Sequence, residues 1–151
     1  MNLGVPEKDK SQPNEQSVKP TKFIGLVTLR SLEAGGLELP ESLTIPIAEA
    51  STTLTVELAY TLLPSGWGKG YAAESVKAVF EFYKRETAFW SPYSKIYIRA
   101  IVNHGNPASL RVMEKIGMKE KGIYHWTGKV FLAGQWRTED GLHIFGSYLI
   151  E

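Results

Sequence analysis

The chain has 151 residues, about one domain, with 17 basic against 16 acidic side chains, a net charge of +1 and 43% hydrophobic residues. That balance removes the main argument for a nucleic-acid or polybasic membrane surface, while the apolar share suffices for a packed core. The absence of cysteine excludes disulfide scaffolds, cysteine-based zinc or iron–sulfur sites and thiol nucleophiles.

Met1–Pro20 is polar and has almost nothing to bury, so it reads as a disordered tail ahead of a domain over 21–151. Phe23–Leu32 is apolar and β-branched, a strand, followed by a loop at Glu33–Pro40 with Gly35, Gly36 and Pro40. Leu43–Ile47 reads as a short edge strand interrupted by Pro46. Over Thr53–Leu63, the residues Leu54, Val56, Leu58, Tyr60 and Leu62 alternate with polar or small ones, the clearest strand in the chain. Pro64–Gly70 is a glycine-dense turn, and Tyr71–Arg85 reads as a helix with Val76, Val79, Phe80 and Tyr83 on one face. Lys95–Val102 alternates again. Asn106 and Pro107 are suited to the N-cap and first position of a helix that ends near Ile116, with Gly117 placed to terminate it. Lys119–Trp126 and His143–Ile150 are the last strands, an antiparallel pair, joined by a loop holding Gly128, Gly134 and Asp140–Gly141. Trp90, Trp126 and Trp136 fall in or near loops. This order predicts an α/β fold on one mixed sheet and not a doubly wound one.

The first residues are polar, so no secretory signal is expected, and no run of about 18 apolar residues is present. A soluble cytoplasmic protein without membrane or nucleic-acid partners is therefore expected. His104, His125 and His143 match no short ligand motif, so no metal is expected.

The stretch that carries chemistry is Gly66-Trp67-Gly68-Lys69-Gly70-Tyr71-Ala72-Ala73-Glu74, a glycine-rich turn between strand and helix. Such a turn presents free backbone N–H groups at the positive end of a helix, and glycines let a phosphate approach closely. It fails the Walker pattern, because Lys69 precedes Gly70 and Tyr71 follows. It meets the dinucleotide fingerprint only loosely, and no second βαβ unit accompanies it. A purely steric use of the glycines is the competing reading.

These residues resemble the acetyl-CoA loop of the GNAT N-acetyltransferase superfamily. The superfamily's pattern is Arg or Gln, two residues, Gly, one residue, then Gly or Ala; Gly70 and Ala72 fit the last two positions. Trp67, in place of Arg or Gln, is typical of the Rim-type branch, which includes ribosomal-protein N-terminal acetyltransferases. Asn106-Pro107-Ala108-Ser109 and Glu114-Lys115-Ile116-Gly117-Met118 resemble that branch's N-x-x-S…E-K-x-G-F segment, and Glu57–Leu62 resembles the strand before the loop.

The resemblance implies transfer of an acetyl group from acetyl-CoA, as co-substrate, to a primary amine of a protein N-terminus or a small molecule. The attack is direct, so no nucleophilic residue is required. The pyrophosphate is expected on the backbone amides from Gly68 to Ala72, with Trp67 and Lys69 in the same loop. The pantetheine arm is expected between the strand ending at Leu62 and Leu63 and its splayed neighbour at Lys95–Val102. Asn106 either reaches the cofactor or serves only as an N-cap. Glu57, on the polar face of its strand, is the candidate base, against the plainer reading of a solvated or paired carboxylate. Ser109 is the candidate donor to the leaving thiolate, against a plain helix-surface serine. Tyr60 and Tyr124 are further donors, Tyr60 more naturally core, and His104 lies in the loop before Asn106. A complete domain of this family begins with a strand and two helices that wall the acceptor pocket. Here a polar tail stands in their place, which implies an N-terminally shortened fold and an exposed sheet face open to a second copy or a partner chain. The alternatives are a binding module that holds CoA or a partner without turnover and, more distantly, a nucleotide site.

Overall fold

A computed structural model describes residues 19–32, 36–132 and 134–151. Most of the polar Met1–Pro20 tail and part of the Glu33–Pro40 loop lie outside them. Five strands and two α-helices follow one another as β1 (Gly25–Ser31), β2 (Thr53–Leu62), α1 (Tyr71–Arg85), β3 (Lys95–Asn103), α2 (Pro107–Ile116), β4 (Lys119–Leu132) and β5 (Gln135–Ile150). The sheet is mixed, in the order β1-β2-β3-β5-β4. Its β2–β3 pair is parallel and the others antiparallel. No helix among the described residues is long and apolar enough to cross a membrane.

Alternation along the strands sends Val56, Leu58, Ile96, Ile98, Ala100, Val102 and Phe145 to one face, where they pack with Val76 of α1 and Met113 of α2. Trp90 closes this core, its indole N–H bonded to the Tyr83 carbonyl. The amphipathic stripe anticipated on α1 holds for Val76, Phe80 and Tyr83. The opposite face is not left bare beside β3. Residues 36–50 cross it, held where Arg99 Nη1 donates to the Leu37 carbonyl and the Tyr148 hydroxyl to Glu49 Oε2. Leu26 on β1 and Phe23 before it remain exposed, at 59% and 62%.

Two expectations need correction. Leu43–Ile47 is not a strand; two 3-10 turns, Glu41–Leu43 and Ile47–Glu49, stand there, each entered from a proline. Pro40 and Pro46 fix φ near the value such turns need, and Pro46 has no N–H for a ladder. The loop drawn between the last two strands is mostly strand. β4 and β5 pair out to Leu132↔Gln135, taking Asp140 and Gly141 into the ladder and passing Gly128 in a register shift between Thr127 and Val130. Trp136 lies 63% exposed on this arm, and Trp126 stacks beside Gly128.

Candidate functional site

The site starts at a seam. β2 and β3 pair in register from Thr53↔Lys95 to Glu57↔Arg99 and then part, although β2 continues to Leu62 and β3 to Asn103. The strands therefore splay, as the family resemblance implied, and their seam-facing backbone groups beyond the last rung have no ladder partner across it.

The splay opens beneath the α1 entrance. After Pro64–Gly66 the turn reaches Gly70 at φ +78°, a left-handed conformation that glycine adopts without cost. Gly70 is also the N-cap and offers no side-chain acceptor; the first backbone bond of the helix runs from the Glu74 N–H to the Gly70 carbonyl. The amides of Tyr71, Ala72 and Ala73 thus meet no helical carbonyl. They open on a cleft of about 520 Å³ lined by Tyr60, Leu62, Gly66, Trp67, Gly68, Gly70, Tyr71, Ala72 and Ala73 on one side. The other wall is α2, presenting Asn106, Ala108, Ser109, Arg111, Val112 and Lys115. The lining includes two cations and no carboxylate. Free amides, a helix dipole and two cations together favour a polyanion.

Of the expected cofactor residues, Leu62, Trp67, Gly68, Gly70, Tyr71, Ala72 and Asn106 line this cleft. Leu63 and Lys69 do not; Lys69 turns its ammonium to the Ser65 carbonyl at 3.0 Å. Trp67 braces the turn by donating its indole N–H to the Leu62 carbonyl at 2.9 Å. Asn106 takes the N-cap role, its Oδ1 accepting the Ser109 N–H at 3.2 Å, and the residue lines the α2 wall of the cleft.

Glu57 sits outside the lining, on the last paired rung. Arg30 Nη2 donates to its Oε1 at 2.7 Å, and Arg99 Nε and Nη2 approach its Oε2 at 3.0 and 2.9 Å. Burial alone would raise the Glu57 carboxyl, but the two guanidiniums outweigh it and hold the group below the usual carboxylate range. This is the paired-carboxylate arrangement. His104 also stands outside the lining, stacked on His143 with Nδ1 2.9 Å from its Nε2, while His143 Nδ1 meets Glu120.

Sequence reasoning missed Arg111 and Val112, and quoted Gly66, Ala73, Ala108 and Lys115 within motifs without giving them a site role. A signal existed for the α2 wall: Ala108, Arg111, Val112 and Lys115 recur at i, i+3, i+4 and i+7, one helical stripe facing the glycine turn.

A family model described as an acetyltransferase (GNAT) domain matches residues 8–119. Over 72 residues the chain is 36% identical to the uncharacterized protein YkkB of Bacillus subtilis, covering 47% of this chain and 38% of that protein. Among solved structures, an acetyltransferase of the GNAT family from Bacillus anthracis aligns with TM-score 0.51 at 20% identity over 84% of this chain. The yncA acetyltransferase of Salmonella typhimurium, solved with acetyl-CoA, gives 0.56 at 16% over 85%. Spermidine N-acetyltransferase from Vibrio cholerae, with CoA and spermine, gives 0.51 at 22% over 85%. At these identities the likeness is one of fold. The chain spans 59% of the length of each of these three solved relatives.

Proposed function

The chain belongs to the GNAT acetyltransferase family, and from that premise we propose that it binds acetyl-CoA in the cleft and transfers the acetyl group to a primary amine. The observation that carries this reading is the uncapped α1 entrance facing Arg111 and Lys115 across a sheet seam that opens after Glu57. In this reading the amides from Gly68 to Ala72 take the pyrophosphate, and Arg111 and Lys115 offset its charge. The unpaired strand edges beyond Glu57 and Arg99 take the amide groups of the pantetheine arm. The acceptor nitrogen attacks the thioester carbon, the C–S bond breaks and its electron pair leaves on sulfur. The proton lost by the acceptor passes to solvent. Ser109 is the hydrogen-bond donor to the departing thiolate, and the main contribution of the protein is to hold the reactants in place. Glu57 keeps the clamp between its two arginines and fixes where the strands part. The acceptor is an N-terminal amine of a protein, as in the Rim-type branch, or a small amine, as the Vibrio cholerae enzyme's bound spermine illustrates.

Thermal unfolding with acetyl-CoA, with ATP as control, tests the site. Ligand at about 100 times its dissociation constant adds roughly 2.7 kcal/mol, several degrees for a domain of this size. A cooperative transition that acetyl-CoA leaves unmoved overturns the reading. Release of CoA thiol against a panel of amines then tests turnover. The exposed apolar pair Phe23 and Leu26 favours, as a second reading, a module that binds CoA or another chain without turnover; stabilisation by CoA with no thiol release from any amine would select it.

A further inference from the structure

Tyr60 and Ser109 come from opposite walls of the cleft, one from the splayed end of β2 and the other from the first turn of α2, and meet at 2.8 Å with the tyrosine hydroxyl donating to Ser109 Oγ. Resting on the proposed function above, we propose that Tyr60 is the positioning residue for Ser109, occupying its acceptor side so that the serine's own O–H is turned toward the leaving sulfur.

A serine hydroxyl rotates freely and carries one hydrogen and two lone pairs. Unpartnered, it could turn that hydrogen to a nearby backbone carbonyl, as serines in helices do. The tyrosine donor fills one lone pair, and a hydroxyl that accepts a hydrogen bond donates a stronger one. The main chain of Ser109 is fixed as well, by the bond from its N–H to Asn106 Oδ1. Burial raises the Tyr60 phenol above its usual range, partly countered by the bond to Ser109, so the tyrosine remains a donor at neutral pH. Lys115 lies six residues beyond Ser109 along the helix, roughly 9 Å by helical rise. Alcohols are far weaker acids than thiols, so Ser109 contributes a hydrogen bond to the thiolate and not a lasting proton transfer. The sulfur keeps the electron pair of the broken bond and receives its proton from solvent, which took one from the acceptor amine.

The test needs no acceptor. With protein in excess over CoA, the alkylation rate of the CoA thiol is followed against pH; the chain has no cysteine, so CoA is the sole thiol. Bound to the wild type, the thiol is expected to ionise at lower pH than free CoA. Ser109→Ala should abolish that lowering. Tyr60→Phe, assayed at a protein concentration that saturates CoA, should remove a measurable part of it, and the double variant should match Ser109→Ala. A Tyr60→Phe profile equal to wild type, or a wild-type profile equal to free CoA, overturns this assignment while leaving the binding site standing. Failure of CoA to bind the wild type overturns the reading of the cleft and this inference with it.

Discussion

Gly70 stands at φ +78°, and a Cβ added there meets nothing within 4 Å, so replacing it tests the backbone without disturbing the packing. Gly70→Ala is expected to destabilise the fold by about 1–2 kcal/mol, the cost of a left-handed L-residue. It should weaken acetyl-CoA binding further as the α1 amides rotate; chemical denaturation and titration calorimetry read the two effects separately. Arg111 and Lys115 line the cleft, are exposed and stand outside the ion pairs seen among the described residues, so in the proposed site their contribution is charge. Removing either should lower affinity about tenfold, about 1.4 kcal/mol, and flatten the dependence of binding on salt. A salt profile unchanged in Arg111→Ala and Lys115→Ala would place both outside the ligand's reach. At this scale the sequence revealed the glycine turn because its chemistry is local. It offered Tyr60 as a further donor but placed it more naturally in the core, because nothing local says that this face becomes a cleft wall once β3 departs.

At the scale of elements, the Glu57 clamp sits on the last rung at which β2 and β3 pair. It joins β1, β2 and β3 through Arg30 and Arg99, and Arg99 in turn holds the 36–50 crossing at Leu37. Its carboxylate side chain is 14% exposed and that of Arg99 only 7%, so Glu57→Gln leaves a buried guanidinium poorly compensated. A loss of about 2–3 kcal/mol is expected, near the lower end for a broken buried pair because Arg30 is open to water. The folded-state carboxyl is depressed below its ordinary 4.5. Its stabilisation is therefore complete above that pH and is lost as pH falls through the folded value. Denaturation midpoints of wild type and Glu57→Gln should differ by a constant amount at neutral pH and converge below 4.5; a gap that persists in acid would show that the carboxylate charge is not what stabilises. The helices were legible to within a residue, since Gly70, Asn106, Pro107 and Gly117 mark ends that depend on local φ and capping. The β4–β5 arm was not, because ladder bonds from a facing strand carry loop-like residues such as Asp140 and Gly141 into a strand.

Across the whole molecule the sheet is two sub-sheets, β1-β2 and β3-β5-β4, joined by the five rungs from Thr53↔Lys95 to Glu57↔Arg99. The fold class was legible because the strand and helix order admits few mixed sheets; the splay came only through the family resemblance, and the rung at which it begins, Glu57↔Arg99, was not legible, since it depends on pairing between strands separated by α1. Both sub-sheets contribute core side chains to one cluster, so packing couples them, while backbone bonding lapses at the splay. An extended ligand lying in that gap supplies the missing partners for both edges. Hydrogen exchange should register this as slower exchange at Leu58–Leu63 and at Ala100–Asn103 when acetyl-CoA is added. The outer strands, β1 and β4, should change little beyond the global rise in stability that ligand binding gives every amide exchanging through full unfolding. CoA should protect both edges as acetyl-CoA does, because the amide-bearing arm is common to both. A nucleotide without that arm, such as ATP, should protect at most the Gly68–Ala73 amides. Protection confined to the glycine turn with acetyl-CoA as well would mean that the ligand is held by its phosphates alone and that the seam is a structural gap, not a binding edge.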